Sequence, residues 1–263
     1  MSPREGITEG IGWREHPGDG PLLVALHGIG AEARAFDALA ERLPGWRVIA
    51  WEAPGYGPSA PLPTDWPRAA DYAQALARLV AALGLPRFHL LGHSLGTLIA
   101  AAYARLHPVQ TLTLAACAQG GGAVPGTLPP SQQARLDDLD RLGAPAMAEA
   151  RAPRLIHQPE RNPALVAAVA QGMARIRRPG YAQAVRMLAS GDLAADCAAQ
   201  AQLTQVIVGA EDLVTPPAQS QRAHDALPPA HRGALTLIPD CGHALHQQAP
   251  QALAHAILQG ATP

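Results

Sequence analysis

An α/β fold is what this 263-residue chain predicts: a mostly parallel sheet with helices on both faces, plus a helical block inserted between two strands. Three observations carry that expectation. Short continuous apolar runs such as Leu22–Leu26 recur along the chain, the mark of strands buried on both faces. Between them lie segments with apolar residues at steps of three and four, the spacing of helices that cover such a sheet. From about residue 131 to 200 the strand signal stops and the pattern reads as helix throughout.

The elements follow in order. Residues 7–15 suit a hairpin at a sheet edge. The run 22–26 is a buried strand that ends in His27-Gly28-Ile29-Gly30, and a helix is expected over 31–43 with Phe36, Leu39, Ala40 and Leu43 on one face. Residues 47–51 form the next strand and lead into the turn-rich Glu52-Ala53-Pro54-Gly55-Tyr56-Gly57-Pro58-Ser59. A helix over about 67–83, with Tyr72, Leu76, Leu79, Val80 and Leu83 inward, stops at Gly84. The strand His89-Leu90-Leu91 enters Gly92-His93-Ser94-Leu95-Gly96, after which Leu95, Leu98, Ile99, Ala102 and Leu106 mark a helical stripe.

A strand over 111–117 precedes a Gly- and Pro-rich stretch that opens the helical block. The clearest helix of that block starts at Asn162-Pro163, with Leu165, Val169, Met173 and Ile176 as its stripe. Strands return at 205–208 and 235–238, with helices over about 217–227 and 250–258. The chain therefore divides into a core, 1–118 with 201–263, and a helical lid, 119–200, placed over the strand ends.

Composition removes several classes of function. Hydrophobic residues make up 48% of the chain and the net charge is −1, which rules out disorder and gives no electrostatic case for nucleic acid or an anionic membrane. All 20 basic residues are arginine; without lysine there is no Schiff base, no pyridoxal phosphate attachment, no P-loop and no Ser–Lys dyad. Cys117, Cys197 and Cys241 suggest no disulfide framework, and no His/Cys/carboxylate cluster has metal-ligand spacing, so neither a metal nor a cofactor is expected. No apolar run reaches the roughly 18 residues of a membrane span, and the first residues lack the apolar core of a signal peptide. A cytoplasmic protein is the expectation, with a homodimer left open.

The chemistry is expected where three strands end. In a strand–turn–helix with Ser94 at its apex, the turn holds the hydroxyl clear of both elements. Ser94 would also sit at a helix N-terminus, where free N–H groups favour negative charge. A serine hydroxyl needs an adjacent base to act as nucleophile. His243, after the last strand, can supply it, and Asp212, after the strand 205–208, can orient the imidazole. No Asp or Glu lies between Ser94 and Asp137, so Asp212 has only Glu211 as a close rival. Two N–H groups would complete an oxyanion hole, that of Leu95 and that of Ile29.

These pieces together resemble the α/β-hydrolase superfamily over nearly the whole length. The matching stretches are His27-Gly28-Ile29-Gly30, Ala53 to Ser59, Gly92 to Gly96, Gly209-Ala210-Glu211-Asp212-Leu213-Val214-Thr215-Pro216 and Cys241-Gly242-His243. The likeness runs to its lid-bearing members, which include enol-lactone hydrolases, small carboxylesterases and carbon–carbon bond hydrolases. It implies a serine hydrolase acting on a small carboxylic ester or lactone through an acyl-enzyme. Ser94, where some members carry Asp, argues against dehalogenase and epoxide hydrolase chemistry. Ala244, where carbon–carbon hydrolases usually carry Trp, weakens that alternative. Perhydrolysis, acyl transfer and ligand binding without turnover stay open, and Thr97 stands where a third glycine is frequent.

Other residues have plainer expected roles. His27 and His93 are read as structural, His246 as pocket wall or surface, the remaining histidines as surface, and Cys241 as packing. Glu52 is expected to brace the Pro54-Gly55 turn, and Asp137, Asp138 and Asp140 to form a solvated helix face. Met147, Leu155, Met173, Tyr181 and Met187 are candidates for pocket wall, with core packing favoured for each.

Overall fold

The structure is a computed structural model that describes residues 2–261. Eight strands form one sheet: β1 (Arg4–Thr8), β2 (Ile11–His16), β3 (Leu22–Leu26), β4 (Arg47–Trp51), β5 (His89–His93), β6 (Leu112–Ala115), β7 (Thr204–Gly209) and β8 (Arg232–Ile238). Their order is β1-β2-β4-β3-β5-β6-β7-β8. β1 and β2 are the expected hairpin, and β2 meets β4 antiparallel; every pairing from β4 to β8 is parallel. The chain runs from β3 to β4 on one side, then returns to lay β5 on the other. Strand order thus reverses beside β3, and the crevice outside the carboxyl ends at such a point is where α/β sheets hold ligands.

The sheet is buried on both faces. Along β3, Leu22, Val24 and Leu26 belong to one hydrophobic cluster and Leu23 and Ala25 to the other. The first cluster includes residues of α2 (Ala69–Ala82) and α3 (Leu95–Leu106); the second includes residues of α1 (Asp37–Ala40) and α10 (Pro250–Ala261). The expected helix over 31–43 is instead a 3₁₀ turn, Ala33–Phe36, followed by the single turn α1. Beyond α1 the hydrogen bonds of Arg42 and Leu43 reach back three residues, to Leu39 and Ala40. Phe36, Leu39 and Leu43, at steps of three and then four, are all buried here too, so the apolar spacing does not separate the two geometries.

Between β6 and β7 lie α4 (Pro130–Arg151), α5 (Pro163–Met173), α6 (Arg178–Ser190) and α7 (Leu193–Ala198). α4 is kinked where Gly143 has φ 75°, two residues before Pro145. Asn162 does not cap α5 with its side chain; its amide donates to the carbonyls of His157 and Gln158. The buried Gln183 pins α6 to the core by bonding Leu62 N–H, Leu62 C=O and Thr64 C=O. After β7 come α8 (Pro217–Ala226) and α9 (Leu245–Gln248). Among the described residues, no helix is long and apolar enough to cross a membrane.

Candidate active site

Ser94 joins β5 to α3 with φ 53° and ψ −118°, a left-handed geometry that costs a non-glycine residue of order 1–3 kcal/mol. The turn is pinned from several sides. Ser94 N–H donates to Ala115 C=O at 2.9 Å, and Ser94 C=O accepts from Thr97 N–H at 2.9 Å and Thr97 Oγ1 at 2.6 Å. Glycine is obligatory beside it: a Cβ on Gly92 would lie 2.4 Å from Gly96 C=O, and one on Gly96 2.4 Å from Leu26 C=O. Thr97, at the position where a third glycine is frequent, is a hydrogen-bonded strut of this turn. Leu95 begins α3, so its N–H has no carbonyl a turn earlier to bond.

His243 and Asp212 meet. His243 Nδ1 lies 2.8 Å from Asp212 Oδ2, and both side chains are buried. Asp212 Oδ1 accepts from Val214 N–H at 2.8 Å and Thr215 N–H at 2.9 Å, while Thr215 Oγ1 donates to Oδ2 at 2.9 Å. Burial alone would raise the Asp212 pKa. The hydrogen bond and attraction from His243, with the two backbone N–H groups, outweigh it and hold the carboxyl below its usual range. The carboxylate therefore takes the Nδ1 proton as acceptor and leaves Nε2 with a lone pair. Ser94 and His243 both line one cavity of about 520 Å³. Among the described residues, Ser94 Oγ has no hydrogen-bond partner, a separation common in free enzymes whose contacts tighten on substrate.

The loop after β3 stands beside Ser94. His27 is fully buried, and burial drives its pKa down to about 4, so the ring is neutral at pH 7. Its Nδ1 donates to Gly28 C=O at 2.8 Å and its Nε2 accepts from Ala53 N–H at 3.0 Å. Gly28 C=O also accepts from Ala31 N–H at 3.2 Å. With that carbonyl held on one side, the trans peptide turns Ile29 N–H to the other. Ile29 lines the cavity with Ser94, and its N–H has no partner among the described residues. The predicted oxyanion pair, Ile29 and Leu95, is thus available for a negative charge.

Further contacts hold His243 from behind. His93, pushed down to about 3 by burial and by the neighbouring His243, is neutral and donates from Nε2 to His243 C=O at 2.8 Å. Ala244 N–H donates to Leu155 C=O in the helical insertion at 2.9 Å. The Gln248 side chain bonds Gly242 N–H, His157 N–H and His157 C=O, each at 2.9 Å. Sequence reasoning missed the roles of Gln248 and Thr215, and named Leu155 only as pocket wall or packing, not as the acceptor for Ala244 N–H. Only the Asp-x-x-Thr spacing offered a signal, since a threonine three residues on can reach a strand-end carboxylate.

The other expected roles divide. Leu155, Met173 and Tyr181 line the cavity, while Met147 and Met187 are buried in the core. His246 is buried in contact with the His93 ring, and His89 is buried against Thr111 rather than at the surface. Glu52 braces a different turn: its Oε1 accepts from Ala33 N–H at 3.2 Å. Asp140 is exposed and Asp138 half-buried, and both are ion-paired, Asp138 to Arg141 and Arg151 and Asp140 to Arg178. Among the described residues no group of three or more His, Cys, Asp or Glu is placed to hold a metal ion.

Comparison with known proteins agrees with this architecture. A 2-hydroxy-6-oxononadienedioate/2-hydroxy-6-oxononatrienedioate hydrolase of Pseudomonas putida is 33% identical over 120 residues, which span 43% of this chain and 42% of that relative. A thermophilic esterase from Thermogutta terrifontis superposes with a TM-score of 0.83 at 25% identity, covering 98% of this chain and 97% of the other. The enol-lactonase of Burkholderia xenovorans LB400 superposes with a TM-score of 0.85 at 21% identity, over 99% of this chain and 100% of the other, and shows a shared fold. The model of the alpha/beta hydrolase family matches residues 23–256, and the chain belongs to that family.

Proposed function

We propose that this protein is a serine hydrolase that cleaves a small carboxylic ester or lactone through an acyl-enzyme. The observation that carries the reading is the 2.8 Å bond from His243 Nδ1 to Asp212, in a cavity that Ser94 lines from its strained turn. Ser94 Oγ attacks the carbonyl carbon while His243 Nε2 accepts its proton. The carbonyl oxygen gathers charge and is met by the N–H groups of Ile29 and Leu95, aided by the positive end of α3. The tetrahedral adduct collapses as His243 returns the proton to the departing alcohol oxygen. Water, deprotonated by the same nitrogen, then attacks the acyl-enzyme and frees the acid and Ser94.

Residues 119–200 act as a lid in this reading, with 1–118 and 201–263 as the core. Cavity walls from Pro129 to Leu188 and the bond from Leu155 to Ala244 support that division. One chain supplies every group named, so neither a partner subunit nor a nucleic acid is required. Three unpaired cysteines accord with a reducing, cytoplasmic location. Ala244, where a Trp would follow the base in carbon–carbon hydrolases, keeps ester or lactone cleavage ahead of that alternative.

The test is a panel of p-nitrophenyl esters of increasing acyl length beside simple lactones, run with the wild type and Ser94→Ala. Turnover by the wild type and a fall of roughly 10⁶ in kcat for Ser94→Ala are expected, by analogy with serine proteases. Retention of most activity by the variant would refute the assignment.

A further inference from the structure

The cavity beside Ser94 carries charge of one sign. Arg135, Arg151 and Arg154 are in its wall, and no Asp or Glu is. Arg151 is held by Asp138 at 2.9 Å. Arg135, half-buried on α4, makes no hydrogen bond or ion pair among the described residues. Its own helix offers four carboxylates: Asp137 is engaged with Gln133, Asp138 with Arg141 and Arg151, Asp140 with Arg178, and the exposed Glu149, beyond the kink at Gly143, makes no ion pair with it. The exposed Arg154 is likewise without a partner.

A half-buried guanidinium in a cavity wall without a counter-charge is a natural partner for an anion. Arg135 shares the cavity wall with Ser94 and His243. Its charge is felt at the buried Tyr56 hydroxyl, which accepts from Gly30 N–H at 3.4 Å, one residue from the Ile29 N–H. Two amide oxygens of the same wall, Gln119 Oε1 and Gln132 Oε1, are buried without partners and could accept from a substrate hydroxyl or N–H.

We infer that the substrate is an ester or lactone bearing a carboxylate on its acyl or alcohol part, and that Arg135 is the specificity-determining residue that pairs with it. The inference rests on the hydrolase reading for the word ester, but its recognition half is a matter of binding. The planar fork of arginine suits a carboxylate because two parallel N–H donors meet two oxygens. A volume of about 520 Å³ fits a molecule of that size. A long neutral acyl chain would instead press methylenes on an unpaired guanidinium.

The experiment compares monomethyl glutarate, an anion at pH 7.5, with dimethyl glutarate, its neutral counterpart. Binding to Ser94→Ala is followed by calorimetry, so that neither compound is consumed. The anion is expected to bind about 10-fold tighter or more, the return of one charge-assisted hydrogen bond. Its advantage should shrink as salt rises, and Arg135→Gln should abolish it. Equal or tighter binding of the diester would overturn the inference, as would a preference that survives Arg135→Gln. The salt series on the parent protein decides the matter even where Arg135→Gln fails to fold: an advantage indifferent to salt counts against it. Methanol release by the wild type is scored separately. Binding of the anion without turnover defeats the hydrolase reading alone; turnover without preference for the anion defeats only the recognition by Arg135.

Discussion

Replacing Gly28 with alanine isolates the oxyanion loop from the rest of the site. A Cβ on Gly28 would lie 2.9 Å from Ser94 Cβ, 3.2 Å from His93 Nδ1 and 3.4 Å from Ser94 Oγ. Ordinary carbon–carbon contact begins near 3.5 Å, so one side must give by about 0.6 Å. Ser94 cannot, because Ala115 and Thr97 pin its N–H and C=O. The loop must move, against the two bonds that hold Gly28 C=O, and Ile29 N–H moves with it. Loss of one oxyanion donor costs roughly 100- to 1,000-fold in kcat. Overpacking costs about 1–3 kcal/mol, or roughly 2–12 °C in Tm for a chain of this size. Gly172→Ala is the control. Its Cβ would meet nothing closer than Glu32 Oε1 at 3.5 Å, and α5 should gain up to about 1 kcal/mol in helix propensity. Steady-state kinetics and scanning calorimetry on both variants read the outcome. A Gly28→Ala protein that keeps kcat within threefold of wild type would show that Ile29 N–H is not an oxyanion donor.

Three more outcomes follow from the same geometry. Asp212→Asn should lower kcat by roughly 10⁴ with KM little changed, because an amide donor opposite Nδ1 favours the wrong imidazole tautomer; a loss under tenfold at pH 7.5 would remove Asp212 from the relay. Glu52, pushed up to about 7 by burial, holds a proton in the folded chain that the unfolded chain releases near pH 4.5, so its contribution to stability is lost as pH rises between those values. Glu52→Gln should accordingly gain on the wild type by about 1–3 kcal/mol between pH 5 and pH 8 in denaturant titrations, and a gap that is flat with pH would contradict the burial argument. Cys117 and Cys241 have thiols pushed up to about 12 by burial, and Cys197 is driven in the same direction. Ellman's reagent should find no reactive thiol in the native protein and three in guanidinium; a native thiol that reacts within seconds would count against this packing.

Much of this was legible because parallel sheets leave strong marks. Strands β3 and β4 match the runs read at 22–26 and 47–51 residue for residue, since a strand buried on both faces must be apolar throughout. Ser94, Asp212 and His243 stood out for a related reason: each lies just past the end of a parallel strand, where the chain turns into a loop or helix. The 3₁₀ turn at Ala33–Phe36 was not legible, because three- and four-residue spacing suits both helix types. The single-handed charge of the cavity was hidden as well. Arg135 looks like any solvated arginine of a polar helix until the pairings of Asp137, Asp138 and Asp140 show which cation is left over. Gln248 was invisible for want of periodicity, as its role depends on two loops that only the fold brings together.

Covalent capture of the nucleophile tests the central claim most directly. The protein is incubated with a fluorophosphonate at pH 7.5, and the adduct is located by intact-mass and peptide mass spectrometry. One equivalent on Ser94 is expected, absent in Ser94→Ala and slowed by orders of magnitude in His243→Ala. A protein that stays unlabelled, or an adduct on any other residue, would contradict a relay from Asp212 through His243 to Ser94.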